Sequence, residues 1–494
     1  MNVPLSHIPT LAVWETIHRD DWGPVEARHF LERAGFAAQP DTIEEATDLG
    51  PEACCERFFT PSPFLQPPWV VEKFTEIQDL RQQARKTKDK EERSEFYREA
   101  NQISRQTIDD IEHEWLLRAS RPETGFSAKW ELFLSDVWVI GKRTVREPEW
   151  IASYWKALSE KSSEPYPEFC KAFSREPAMI RYLDVDKNSK NKPNENFARE
   201  LLELFILGEG NYTEFDIKEA ARAFTGRRLQ NQQYREYPKQ FDDGTKTVFS
   251  RTGQWTGDNV IDLIFQQPAS RTFLPSEAIR FYLTREPITA DRIKLLGDLW
   301  AEEDFRLDAL RRRLFTSRAF YASDCRGNRI KSPIEFYIGT LQRFGLQPIP
   351  LRQYSTRPLA EMGQELFEPP NVRGWIGGEA WINAGKLAAR RQAAAEVFAT
   401  LPMNRMNADD KRRIEMERER DNSAPFRVKE DELLSLTGTT APEVVEFIRN
   451  QLLTVTANES FYQEISNYLG KNPSGETIED LVITVLQSPQ YQLS

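Results

Sequence analysis

Apolar positions recur at helical spacing along most of the chain. The clearest run lies within residues 192–229, where Phe197, Leu201, Leu204 and Phe205 fall at i, i+4, i+7 and i+8, one face of a helix. Pro193 suits the first turn of that helix. Gly208 suits its C-terminal end, with Gly210 in the turn that follows. Thr213 and Asp216 have the spacing of a capping box. Ile217, Ala220, Ala221 and Phe224 then make a second apolar face, which stops at Gly226. The pattern predicts a helical hairpin.

Helical spacing continues elsewhere. Residues 24–36 predict a short helix ending at Gly35, with His29 packed inside it. Thr42 predicts the cap of a next helix, with Glu45 at its third position. After a proline-rich connection at 61–69, residues 70–120 are charged and helix-forming, a long exposed helix or hairpin. Strand signals are confined to residues near 234–255, where Thr245, Thr247 and Phe249 alternate as in a β-hairpin. Residues 258–346 are helical again, with Pro333 opening one helix. Arg311, Arg312 and Arg313 mark a solvated helix end or an anion contact. Residues 402–430 turn abruptly to charge, an exposed insertion, before short helices close the chain. The expected fold is mainly α: a multi-helix bundle with a short β-hairpin and long irregular loops. It forms one helical domain over 1–494, with a charged helical excursion at 72–113 and the insertion at 402–430.

Composition narrows the function. There are 66 basic and 77 acidic residues, a formal charge of −11, which argues against a nucleic-acid binder. No run approaches the ~20 apolar residues of a membrane helix, and the first residues lack the basic and apolar regions of a signal peptide. Cys54, Cys55, Cys170 and Cys325 have no metal-ligand spacing. A cytoplasmic protein is expected.

Candidate chemistry gathers in two places. On the first hairpin helix, Glu195, Arg199 and Glu203 are spaced i, i+4, so Arg199 can bridge two carboxylates. Asn196 and Glu200 form a second polar row beside them. Glu200 and Glu203, at i, i+3, could share one hard divalent cation; equally, the row reads as an ion-paired face. The second place is the stretch GQELFEPPNVRGWIGGEAWINAGKLAARRQ at 363–392. Its prolines and glycines require a tight loop. Trp375 and Trp381 with Asn371 and Asn383 suit an aromatic-walled pocket with amide hydrogen bonds, or a corner that caps the bundle.

The string PNENFARELLELFILGEGNYTEFDIKEAARAFTG at 193–226 resembles the signature of the domain-of-unknown-function 1800 family. PAMIRYLD at 177–184, TKTVFSRTGQWTGDNVIDLIF at 245–265, RGNRIKSPIEFYIGTLQRFG at 326–345 and the PPNV, GW, GG and WIN elements of the 363–392 loop resemble further family segments in order. The chain departs from the family at Leu134, Ser135, Asp136, Val137 and Trp138, where members carry Trp-His-Asn-His-Phe. It departs again at Phe241 and Asp242, beside which members carry another histidine. With only His7, His18, His29 and His113 in the chain, a histidine-rich metal centre is disfavoured.

The resemblance implies a family and no activity. It also implies a partner, because members are encoded beside hydrolase-like proteins of the domain-of-unknown-function 1501 family. The expected function is a non-enzymatic assembly or partner protein for such a hydrolase; the alternative is a cation-assisted hydrolase using the carboxylates of the 194–207 helix. Buried polar groups need partners. The loop at 369–383 is therefore expected to pack against the polar face of that helix.

Overall fold

The computed structural model describes residues 3–421, 425–454 and 457–494. The molecule is mainly α-helical, with two small antiparallel hairpins as its sheet structure among the described residues. No described helix is long and apolar enough to cross a membrane.

The predicted charged excursion is a helical hairpin. Pro68–Lys86 turns back into Lys90–Ser120, capped by Asp89, whose Oδ1 accepts from the backbone N–H of Glu91 and Glu92. Its outer part is solvated and its inner part, from Ser104 on, runs through the core. The buried charges there are paired: Asp110 with Lys73 at 2.6 Å, Glu112 with Lys142 at 2.5 Å, Arg118 with Glu131 at 2.6 Å. The charged segment at 402–430 contributes the helix Ala408–Arg420, which lies against this hairpin through Arg413–Asp110 and Arg420–Glu114. It places Ile414 and Glu417 in buried positions. Residues 422–424 of the segment lie outside the described residues.

The central hairpin forms with three local differences from expectation. Its first helix starts at Asn196, not at Pro193, because Asn194 turns the chain first: Asn188 Oδ1 accepts from Asn194 N at 2.9 Å and Asn194 Oδ1 from Asn196 N at 3.1 Å. The helix then widens into a π-helical turn over Leu201–Ile206. Trp138 stacks on Phe205 of that turn, centroids 4.3 Å apart, while Tyr166 receives a hydrogen bond from Trp138 Nε1 and gives one to Phe205 O. After Gly208 and Gly210, both at positive φ, the Thr213–Asp216 capping box opens Glu214–Ala223 as the spacing predicts. The third difference concerns Arg199 and is taken up with the site.

Other elements shift for identifiable reasons. The helix expected to be capped by Thr42 begins at Pro40 instead, since proline pre-sets the first turn, and the Thr42 hydroxyl braces Gln39 from within. The predicted β-hairpin is present as Lys246–Val248 paired with Arg251–Gly253. A second, Arg227–Gln230 with Gln233–Glu236, precedes it. Both turn through two residues at positive φ, Phe249–Ser250 and Asn231–Gln232, the geometry whose usual glycine signal is missing here. Arg311 is neither solvated nor a free anion contact. It is buried over the rings of Phe59 and Trp130, at 4.3 and 5.8 Å, and Arg312 and Arg313 pair with Glu303. His29 is buried, its Nε2 3.0 Å from Phe320 O, and burial holds its pKa well below the ordinary value. All four cysteines are buried and unpaired.

Candidate functional site: the Trp loop, its clamp and the cavity behind it

The 369–383 loop does meet the polar face of the hairpin helix, through a residue outside the predicted set. Arg373 reaches Glu203 at 2.8 Å and Glu209 at 2.6 Å. Glu203 also accepts from the Tyr212 hydroxyl at 2.8 Å. Arg199 keeps its expected partner Glu195, at 3.1 Å, but its second partner is Glu214, held through both terminal nitrogens at 2.8 Å, and not Glu203. The π turn accounts for the change: i→i+5 bonding widens the coil, so Glu203 leaves the row above Arg199 and turns to the loop. Asn196 leaves the strip altogether and donates to Leu183 O at 3.2 Å. Glu200 stays beside Glu203, half-buried, and its carboxyl is raised by burial and by the neighbouring Glu203 charge. The strip is thus an ion-paired clamp that fastens the loop to the hairpin.

The predicted asparagine–tryptophan pocket does not form. Asn371 is exposed and accepts from the Arg373 backbone at 2.8 Å, shaping its own turn. Asn383 is the N-cap of Ala384–Glu396, accepting from Lys386 N at 2.9 Å. Both amides are spent on local backbone, as asparagine in turns and caps commonly is. The two tryptophans are buried as expected, and they face charge instead of amides.

Trp375 and Trp381 line a cavity of about 40 Å³ together with Asp136, Val137, Arg280, Arg285, Arg329 and Glu335. Asp136 stands at the C-terminal end of Pro122–Val137. Arg280 lies in the π turn Ile279–Leu283. That turn is fastened by buried Arg33, which donates to Tyr282 O and Leu283 O at 2.9 and 3.0 Å. Arg329 precedes the helix Pro333–Arg343, which Ser332 and Glu335 open with a reciprocal capping box. The loop closes on this chamber through glycines: Trp375 N donates to Asp136 Oδ1 at 2.8 Å. A Cβ on Gly374, at φ +77, would stand 2.2 Å from that oxygen, and one on Gly377 2.7 Å from Arg285 Nη1.

Charge is crowded away from water on the inner side, at Arg329, Glu335 and Lys129, while Arg280 and Arg285 stand at the open side. Burial pushes the Asp136 carboxyl up to about 7, with the Trp375 hydrogen bond opposing. Lys129, buried, donates to Gly35 O at 2.6 Å and pairs with Glu335 at 2.9 Å; burial brings it down to about 8. The Arg285 guanidinium is lowered first by burial, then by the like charges of Arg280 and Arg329. None of Asp136, Arg280, Arg285 or Arg329 was marked as a site residue by the sequence patterns. Three strings singled out above do converge here: the 134–138 stretch, the RGNRIKSP segment and the GW–GG loop supply Asp136 and Val137, Arg329 and Ser332, and Trp375, Gly377 and Trp381 respectively.

The family model described as "Protein of unknown function (DUF1800)" matches residues 29–493. The chain belongs to the DUF1800 family. No curated protein and no solved structure matches it. Among the described residues of this DUF1800 protein, no group of three or more His, Cys, Asp or Glu side chains is placed to hold a metal ion.

Proposed function

We propose that this protein works by binding, as an assembly partner of a hydrolase-like protein of the domain-of-unknown-function 1501 family. The observation that carries the reading is how the strip's charges are used. Glu195 and Glu214 hold Arg199, while Glu203 holds Arg373 and Tyr212. Carboxylates engaged in that way fix a loop. The fixed loop presents Ile376, 68% exposed, while Phe215, 57% exposed, stands next to Glu214 of the same clamp. Large exposed apolar side chains rimmed by charge suit a protein interface. Four unpaired buried cysteines suit a reducing compartment, and we place the protein in the cytoplasm.

Co-expression with a family-1501 partner tests this reading. A stable complex on size-exclusion chromatography is expected, with Ile376→Asp abolishing co-elution while leaving the melting temperature of the free protein unchanged. Separate elution of the two wild-type proteins would overturn it.

A second reading, a cation-assisted hydrolase using Glu200 and Glu203, draws on the raised Glu200 carboxyl beside Glu203. It requires a saturable thermal upshift with Mg²⁺, Ca²⁺ or Mn²⁺ that Glu200→Gln removes.

A further inference from the structure

The cavity behind the Trp loop has a charge inventory that the partner reading does not use. Arg280 is engaged by Glu277, its Nε 3.0 Å from Oε2. Arg285 gives Nη2 to Ile376 O at 2.9 Å. Arg329 differs. It is 8% exposed, and its Nε and Nη1 have no hydrogen-bond partner among the described residues. Glu335 Oε1 stands 3.9 Å from Nη1, beyond hydrogen-bond range, and is already engaged by Lys129 at 2.9 Å. That loose ion pair and the Phe281 ring, 5.8 Å from Cζ, are its compensation among the described residues, and they leave two donors of a buried guanidinium open where such groups normally find hydrogen bonds.

The sign of the chamber follows from its members. Arg280, Arg285 and Arg329 line it with Glu277 and Glu335, and Lys129 stands behind Glu335. Asp136 is the remaining carboxyl, and burial leaves it partly protonated near neutrality. Positive charge is therefore in excess, and a protonated Asp136 offers a further O–H donor.

Size and shape decide the class of anion. About 40 Å³ holds a few water-sized groups. A doubly charged, tetrahedral oxyanion would be crowded there against Glu277 and Glu335. A planar carboxylate matches a guanidinium edge and fits beside the two indole walls. We propose that this cavity is a binding site for a small carboxylate, of formate or acetate size, held by Arg329 and Arg285 between Asp136 and the indoles of Trp375 and Trp381. The site stands apart from the partner reading, since it needs the free chain alone.

The test uses the wild-type protein with sodium acetate and sodium formate against sodium chloride at equal ionic strength. A saturable rise in melting temperature and saturable broadening of the ¹³C-acetate carboxyl resonance are expected. Arg329→Gln should weaken acetate at least about tenfold, the loss of one charged hydrogen bond. Arg449→Gln, at an exposed pair with Glu459 outside the cavity lining, should leave binding unchanged. Should Arg329→Gln fail to fold, Arg285→Gln reads the same loss from the cavity's other side. Absence of saturation in the wild type, tighter binding of phosphate than of acetate, or undiminished binding in the folded arginine variants would overturn the proposal.

Discussion

The clamp on the hairpin and the cavity behind the Trp loop are made from the same parts, arginines and carboxylates with aromatic neighbours, a few residues apart along the loop. They differ in water. In the clamp the Arg199 side chain is 33% exposed, Glu214 67% and Arg373 57%; on the inner side of the cavity the Arg329 side chain is 10% exposed and Glu335 6%, while Arg280, at 39%, and exposed Arg285 stand at its open side. Exposed ion pairs exchange one solvation for another and contribute little. Buried charges interact strongly and are costly when a partner is missing. Charge number therefore says little about where chemistry resides; the dielectric around the charge says more.

Substitutions can sharpen that contrast. Trp375→Ala removes a buried wall of the cavity and should cost about 3–5 kcal/mol of unfolding free energy in urea titration. Gly374→Ala puts a methyl against Asp136 at a left-handed φ and should cost roughly 2–4 kcal/mol. Asp136→Asn acts in the opposite direction and depends on pH. The folded carboxyl is raised to about 7, so the native state holds the proton more tightly than the unfolded chain. Stability from this group is complete below about pH 4 and is lost as pH rises through 7. The charges facing it, Arg280, Arg285 and Glu277, are unaltered by the substitution. Asp136→Asn should then stabilise the protein at pH 8 by on the order of 2 kcal/mol and have little effect at pH 3. In the clamp, Arg199→Ala and Arg373→Ala should each cost under about 1 kcal/mol. A loss of several kcal/mol at either position would erase the distinction between the two regions.

Local signals in the sequence were reliable where a few neighbouring residues settle the geometry. Thr213 with Asp216 and Pro333 after Ser332 appear in the structure as their spacing predicts; the hairpin signalled near 245–249 forms too, but as the shorter strand Lys246–Val248, with Phe249 in its turn. Family strings at 193–226 and 363–392 led to a family whose model spans nearly the whole chain. Even the meeting of loop and hairpin followed from the need to satisfy polar groups, although Arg373 makes the contact and Asn371 and Asn383 do not. What stayed illegible depended on distant packing. The π turn that moves Glu203 away from Arg199 has no sequence signature of its own. Arg311 resembles a solvated basic run until Phe59 and Trp130 close over it. The cavity joins residues 136, 280, 285, 329 and 375, and no spacing rule links them. Asp136 stood in plain view as the centre of a string that had lost its histidines, and only its surroundings reveal it as a half-buried acid whose carboxyl is raised.

The most direct test of that difference is a ¹³C NMR titration of the side-chain carboxyls, with Asp136→Asn to assign the resonance. Asp136 should titrate near 7, far above the ordinary aspartate value. A midpoint near 4 would mean that water reaches Asp136 freely, and the cavity would then be no different from the clamp.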